Sequence, residues 1–117
     1  MIKVRISKSN DLIQNVSVTG HAEYADKGQD LICAAVSSVC IGLCNALDLQ
    51  EASCKIEIGD NIITISNIGN DVITQTVLKT AIIQLETVEE QAKEYLKINK
   101  LEVWNNEVHI RYSVLCK

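Results

Sequence analysis

The segment between the second predicted strand and the first predicted helix carries residues that could form a thiol nucleophile. Gly20 and His21 end the strand, and Asp30 and Cys33 open the helix. The spacing predicts Asp30 as the N-cap, because its carboxylate can accept hydrogen bonds from the free N–H groups of the first turn. Cys33 then lies in that turn, where the positive end of the helix dipole and a nearby imidazolium both favour thiolate. A thiolate next to a base is a nucleophile for acyl transfer.

Hydrophobic periodicity predicts six strands and two helices that must position this segment. The predicted strands cover residues 1–7, 12–20, 54–58, 62–66, 100–104 and 107–115. The predicted helices cover residues 30–51 and 70–96, the first apolar on nearly all sides and the second along one stripe. Hairpin strands are antiparallel. The order ββαββαββ therefore predicts an α+β fold, a layered domain with antiparallel hairpins and two long helices.

Length and composition limit the classes of protein to consider. The 117 residues predict one domain over 1–117. The N-terminus alternates like a strand and no apolar run long enough to span a bilayer is evident, so we expect a cytoplasmic protein without a membrane partner. The formal net charge of -4 argues against direct nucleic-acid binding, which needs a dense basic surface, and suits a basic protein partner.

The cysteine pattern argues against a metal centre or a disulfide framework. The five cysteines are Cys33, Cys40, Cys44, Cys54 and Cys116, an odd number without a CxxC pair or zinc spacing. We expect reduced thiols and no metal or other cofactor. Seven helical residues separate Cys33 from Cys40 by about 10 Å, beyond the roughly 7 Å limit for a disulfide. This separation argues against a dithiol redox enzyme.

The candidate segment resembles a family signature. In three parts, Gly20-His21-Ala22, Gly28-x-Asp30-x-Ile32-Cys33-Ala34 and Val36-Ser37, it is similar to the ribosomal-processing cysteine proteases of Firmicutes and related bacteria. Enzymes of this family trim the N-terminal extension of large-subunit ribosomal protein twenty-seven. The resemblance implies a cysteine endopeptidase that acts on this ribosomal protein precursor and supports ribosome assembly.

Four residues receive catalytic or assisting roles from the chemistry and the resemblance together. Cys33 is the expected nucleophile, and His21 is the expected acid and base that protonates the leaving amine and activates water. Helix N-terminal N–H groups are expected to stabilise the oxyanion. Asp30 is expected to assist, either by orienting His21 or only as a helix cap. Ser37, one helical turn after Cys33, belongs to the signature and is expected to assist.

The loop over residues 22–29 is expected to contact the substrate. It contains Tyr24 and Gly28, follows the expected hinge Gly20, and has neither a strand nor a helix period. By the resemblance, this loop is mobile and closes over the substrate.

Two further expectations concern partners and the rival function. Ile83 lies off the apolar stripe of the second helix, and a small layered domain has few elements to cover such residues, so we expect a homodimer, which the resemblance also implies. The alternative function is a noncatalytic peptide-binding factor of ribosome assembly in which Cys33 is an ordinary helix residue. Thiol reactivity distinguishes the two, because a catalytic Cys33 should alkylate faster than the other cysteines.

Overall fold

The computed structural model describes the backbone of residues 1–20, 27–104 and 107–112, and the side chains of residues 1–20 and 31–103. Its elements are β1 (Ile2–Ser9), β2 (Leu12–Thr19), α1 (Lys27–Leu49), β3 (Lys55–Gly59), β4 (Ile62–Ser66), α2 (Val72–Gln91), β5 (Leu96–Trp104) and β6 (Glu107–Tyr112). The predicted ββαββαββ order and the α+β class are confirmed.

All six strands form one sheet in the order β3-β4-β2-β1-β5-β6. The three predicted hairpins are antiparallel, whereas β1 and β5 pair in parallel, from Ile2 opposite Leu96 to Ser9 opposite Val103. The turn of the first hairpin is at Asn10 and Asp11, which both have positive φ. The parallel pair, which hairpin reasoning does not predict, joins the third hairpin to the first.

The core lies between the two helices and one face of the sheet. On β1, Ile2, Val4 and Ile6 are buried beneath the helices, whereas Lys3 and Arg5 are exposed on the opposite face. The other core residues come from both helices, the inner strands and the β4–α2 loop: Ile13, Val16, Val36, Cys40, Leu43, Leu47, Ile65, Ile68, Leu78, Ala81, Ile82, Leu85, Leu96 and Ile98. The described residues therefore form two layers, and none of their helices covers the other face of the sheet.

Helix α1 buries one stripe against the sheet, with Val36, Cys40 and Leu47 in the core. Its Leu31–Leu49 segment is long and apolar enough to span a membrane, contrary to the expectation that the chain holds no such segment. The core helix of a layered domain meets the same criterion. The same segment has most of its residues outside the buried core, so much of its apolar surface faces outward.

Helix α2 begins and ends differently from the prediction. Asp71, not Asn70, is the N-cap: its carboxylate accepts from the Thr74 backbone N–H at 3.0 Å and from Thr74 Oγ1 at 2.8 Å. These bonds lower the pKa of Asp71. The helix ends at Gln91 because residues from Leu96 onward pair with β1, and the backbone N–H of Ile98 donates to Glu89 at 2.6 Å.

A buried side chain of α2 joins this helix to β2. Gln75 Nε2 donates to the carbonyl oxygens of Ile13 at 2.9 Å and Gly69 at 3.0 Å, and Gln75 Oε1 accepts from the Ile13 backbone N–H at 2.8 Å. Three backbone groups that the strand ladder does not pair are thereby satisfied. Gln75 thus fixes the position of α2 on the sheet.

Candidate active site

An apolar cavity of about 310 Å³ opens between α1, the end of β2 and the β3–β4 hairpin. Its lining includes Ile2, Val18, Gly20, Cys33, Val36, Ser37, Cys40, Ile41, Cys44, Asn45, Ile58, Gly59, Asn61, Ile62 and Ile63. The structure therefore brings three of the predicted site residues, Gly20, Cys33 and Ser37, to one concave surface. Enclosed apolar clefts of this size with a few polar groups are typical of ligand sites.

Cys33 is half-buried and packs against the core, so one side of its thiol faces the cavity. It is the seventh residue of α1, because the helix begins at Lys27. The prediction that Cys33 lies in the first turn is wrong. The N–H groups without intrahelical acceptors belong to residues 27–30, which lie roughly 4.5 Å or more along the helix axis from Cys33.

The early helix start also corrects the assignments of Asp30 and Gly28. Asp30 is the fourth residue of α1 and is not its N-cap. Gly28, predicted in the loop, is helical too. A glycine weakens a helix interior, but in the first turn its N–H needs no intrahelical acceptor, and an acidic residue nearby suits the positive helix end. The helix can therefore begin one turn earlier than the capping pattern predicts.

Two predicted site residues, His21 and Tyr24, lie outside the described residues, as does most of the predicted loop. The structure does define where this segment leaves the sheet. The backbone N–H of Gly20 donates to the carbonyl oxygen of Asn61 at 3.1 Å, which fixes the end of β2 to the turn of the β3–β4 hairpin. His21 is the next residue in the sequence, so this hydrogen bond fixes the point at which the chain leaves the sheet before His21.

Gly20 has a backbone that only glycine adopts easily. Its φ is +85°, and a Cβ there would lie 2.5 Å from the carbonyl oxygen of Met1. This geometry agrees with the predicted need for backbone freedom. It also shows that Gly20 is held closely between the N-terminus and the hairpin. Its role as a hinge stays a prediction.

Ser37 is exposed, lines the cavity and lies one helical turn beyond Cys33, as its spacing predicted. The sequence reasoning missed the opposite wall, the tip of the β3–β4 hairpin. There Ile58 and Ile62 are 70 % and 41 % exposed although both are large and apolar. Two isoleucines flanking a turn are the sequence signal that could have indicated this wall.

Burial affects the thiols of three other cysteines near the cavity or the core. Burial, with a smaller effect of Cys44, raises the pKa of Cys40 to about 11. Burial also raises the pKa of Cys44 and of Cys54. These three cysteines are free thiols, as is Cys33. In the described part of the chain no three His, Cys, Asp or Glu side chains cluster as metal ligands.

This α+β domain places a free cysteine beside an apolar cleft, which is the arrangement that a thiol hydrolase needs for its nucleophile and its substrate. The sequence model of one family, Cysteine protease Prp, matches residues 1–97. The chain belongs to this family.

Curated relatives carry the same family name. The ribosomal processing cysteine protease Prp of Staphylococcus aureus (strain Mu50) is 31% identical over 105 residues, which cover 85% of this chain and 98% of that protein. The Bacillus subtilis (strain 168) protein of the same name is 46% identical over 48 residues, which cover 40% of this chain and 43% of the relative.

Solved structures have the same fold. The Staphylococcus aureus protease Prp in complex with a substrate peptide superposes with a TM-score of 0.78 at 28% identity, covering 86% of this chain and 99% of that one. The complex with a covalently linked product peptide has a TM-score of 0.76 at 30% identity, with the same coverage.

Proposed function

We propose that this chain is a cysteine endopeptidase that removes the N-terminal extension of a ribosomal protein precursor, with Cys33 as nucleophile and His21 as acid and base. The observation that carries the proposal is the half-buried Cys33 at the wall of the apolar cavity. Family membership supports the chemistry, and the peptide-bound relatives support a peptide substrate.

The reaction is acyl transfer to sulfur. The Cys33 thiolate attacks the scissile carbonyl carbon and forms a C–S bond, and the amine leaves with a proton from His21. Water then gives its proton to His21 and attacks the thioester, which releases the new carboxylate and restores the thiol. Asp30 and Ser37 assist, Asp30 by orienting His21 and Ser37 by a hydroxyl hydrogen bond within the cavity. No cofactor enters these steps.

The cavity accepts apolar side chains of the substrate next to the scissile bond. Its walls are mostly aliphatic, and Ile41 of α1 faces Ile58 and Ile62 of the hairpin across it. About 310 Å³ accommodates one or two large side chains. Gly20 lines this cleft. The contact of the predicted loop over residues 22–29, with Tyr24 and Gly28, to the substrate stays a prediction. Binding of apolar side chains in the cavity removes water from the thioester.

The outer surface of the helices forms a homodimer. Between Leu31 and Leu47, α1 contains no charged residue. The exposed uncharged residues of the two helices outside the cavity include Leu31, Ala34, Ser38 and Gly42 of α1 with Ile73, Thr76, Thr80, Ile83, Gln84 and Thr87 of α2. Depletion of charged residues distinguishes the centre of a protein interface from other surfaces. A second copy presents the same weakly charged surface, which allows a two-fold symmetric contact.

Light scattering tests the dimer. We expect twice the chain mass at micromolar concentration for the wild type and a monomer for Ile83→Glu, because Ile83 is a large apolar residue that is 61 % exposed on α2. Lys93→Glu, an exposed change outside this surface, is the control and stays dimeric. A monomeric wild type contradicts the dimer.

The enzyme acts in the cytoplasm, where ribosomal protein precursors are made. The four described cysteines are free, which suits a reducing compartment. Alkylation of free thiols in native cell extracts tests whether the cysteines are reduced in the cell. Recovery of the chain with oxidised cysteines contradicts a cytoplasmic location.

Peptide cleavage tests the catalytic proposal. The substrate is a synthetic peptide that spans the processing site of the precursor, and the enzymes are the wild type, Cys33→Ala and Cys44→Ala. Cys44 lines the same cavity on the same helix, so it is the matched control for loss of a thiol. We expect cleavage by the wild type and by Cys44→Ala, and none by Cys33→Ala.

The noncatalytic alternative makes a different prediction for the same assay. A peptide-binding factor retains the peptide without cutting it, whether or not position 33 carries a thiol. Peptide binding by the wild type without cleavage supports that alternative and contradicts the endopeptidase. Cleavage by Cys33→Ala contradicts the assignment of the nucleophile.

A further inference from the structure

The helix-free face of the sheet carries a concentration of positive charge. Lys3 and Arg5 of β1 point away from the helices, and Lys97 of β5 is the direct neighbour of Lys3 in the parallel pair. All three are exposed. Adjacent strands are about 4.8 Å apart and alternate residues along a strand about 7 Å apart, so the three cations occupy one small area. We name Lys3, Arg5 and Lys97 the basic cluster.

The basic cluster lacks acidic neighbours on the central strands. Among the described residues, the ion pairs use Lys8, Lys55, Lys79 and Lys100 as cations, and no member of the basic cluster takes part in them. In the row of residues that pair with Arg5 across the strands, the first carboxylate is that of Glu57 on β3. It lies about 14 Å from Arg5, across three strand spacings. Glu57 is itself 3.6 Å from Lys55.

The basic cluster brings like charges together. Lys3 and Lys97 are neighbours on adjacent parallel strands, with Arg5 two residues along β1. The chain as a whole is acidic, with a formal net charge of -4, so the fold separates its charges onto different faces.

Several neutral polar residues lie next to Arg5 on the same face, in a depression that also has apolar walls. This shallow depression of about 370 Å³ lies beside the basic cluster on the sheet, and its lining includes Arg5, Ser7, Asn15, Ser17, Asn99 and Leu101. Hydroxyl and amide side chains together with Lys and Arg are the groups that contact phosphate and sugar in nucleic-acid complexes. The charge of this surface is complementary to a phosphodiester backbone.

We propose that this sheet face, formed by the basic cluster and the adjoining depression, binds RNA through its phosphate backbone. The choice of RNA among polyanions rests on the proposed function in ribosomal protein processing. The net charge of the sequence argued against nucleic-acid binding. The fold places positive charge on one face of the sheet, which accounts for the difference between that expectation and this proposal. The RNA surface lies across the sheet from the Cys33 cavity, so RNA and substrate peptide occupy different faces.

Fluorescence anisotropy with a labelled single-stranded RNA of twelve nucleotides tests the proposal. The protein is full-length Cys33→Ala, so the result does not depend on cleavage activity. We expect a dissociation constant of about 1 to 100 μM at low salt, typical of nonspecific contacts. Three cations predict a slope of log affinity against log salt near -2, since each phosphate contact on a single strand contributes about -0.7.

A matched pair of charge reversals locates the binding surface. Lys97→Glu removes one member of the basic cluster, whereas Lys93→Glu makes the same change at an exposed lysine outside the sheet. We expect Lys97→Glu to weaken RNA binding by about fivefold or more and to reduce the salt slope by about 0.7, with Lys93→Glu unchanged. Thermal unfolding verifies that both variants fold, and Arg5→Gln gives a second, milder test of the same surface.

Three outcomes overturn the proposal. The first is no RNA binding by the wild-type surface up to 100 μM protein at low salt. The second is an equal loss of affinity in the Lys97→Glu and Lys93→Glu variants. The third is equal affinity for polyglutamate of the same charge, because the surface is then a general anion or acidic-protein site. Failure of peptide cleavage by the wild-type enzyme instead contradicts the proposed function and leaves the binding result intact.

Discussion

Replacement of Gly20 by alanine tests how the fold holds the strand end that precedes His21. The residue has φ +85°, and the left-handed region costs an L-residue about 1–2 kcal/mol. The new Cβ would lie 2.5 Å from the carbonyl oxygen of Met1, a backbone atom, so β1 or β2 must move. That movement weakens the 3.1 Å hydrogen bond from Gly20 to Asn61, worth about 1 kcal/mol.

Together these effects predict that Gly20→Ala lowers the free energy of unfolding by about 3 kcal/mol. For a domain of this size the midpoint of thermal unfolding then falls by about 12 °C. Gly42→Ala is the control, because a Cβ at Gly42 meets nothing within 4 Å and alanine favours a helix interior. We expect that variant to gain about 0.5–1 kcal/mol.

Calorimetry or circular dichroism at one fixed protein concentration measures both variants, since dimer formation makes the midpoint depend on concentration. The outcome also bears on the predicted hinge at Gly20, since loss of a hinge alone would impair cleavage more than stability. The structure predicts a substantial loss of both. A Gly20→Ala protein as stable as the wild type would refute the argument from φ and from the contact with Met1.

Three further predictions concern single contacts. Gln75→Leu should cost about 3 kcal/mol of unfolding free energy in a denaturant titration, because it leaves two buried backbone groups of Ile13 and a partly buried one of Gly69 without this partner. Gln84→Leu on the exposed side should change little, and equal effects would contradict the role of Gln75. Asp71→Ala should lower the unfolding midpoint at neutral pH. The pKa of Asp71 is lower in the folded than in the unfolded protein, so the ionised carboxylate stabilises the fold fully above the ordinary value of 3.8. This stabilisation is lost as pH falls through the folded pKa, so the unfolding midpoints of wild type and Asp71→Ala converge in acid. A difference that stays constant with pH would contradict this prediction. Cys40 has a pKa raised to about 11, so about 0.1% of it is thiolate at pH 8. It should therefore react with iodoacetamide only on unfolding, which mass spectrometry of the labelled native protein measures. Rapid labelling of Cys40 in the native protein would contradict its burial.

Local patterns predicted the elements well where one hairpin or one helix face decides the structure. The alternation of Ile2, Val4 and Ile6 identified β1, and the turn residues before Ile62 identified the second hairpin. The end of α2 was wrong because Leu96 continues the helical stripe, whereas its parallel partner Ile2 lies far away in the sequence. Such long-range pairing leaves no local period.

Local sequence patterns also did not predict the burial of two carboxylates. The spacing of Glu86 predicts a position on the polar face of α2, yet Glu86 is buried and accepts a hydrogen bond from Lys100 at 2.8 Å. Glu102 is buried on β5, 3.6 Å from Lys8. Each depends on a partner from another element, so burial of the charge follows only once the sheet is assembled.

The candidate site divides in the same way. Gly20, Cys33 and Ser37 of the signature line one cavity. Cys33 and Ser37 do so because residues one turn apart on a helix share a face. The start of α1 was wrong, since Asp30 has a good capping side chain but Lys27–Gln29 can also be helical. The hairpin wall at Ile58 and Ile62 comes from a distant part of the sequence and required the fold.

Trapping of the acyl-enzyme tests the central claim most directly. The wild type is mixed with the precursor peptide, quenched in acid within the first turnover and digested for mass spectrometry. We predict a thioester between Cys33 and the carbonyl carbon of the N-terminal fragment, absent from Cys33→Ala and present in Cys44→Ala. Cleavage that proceeds in Cys33→Ala, or an adduct on Cys44 in place of Cys33, would contradict the account.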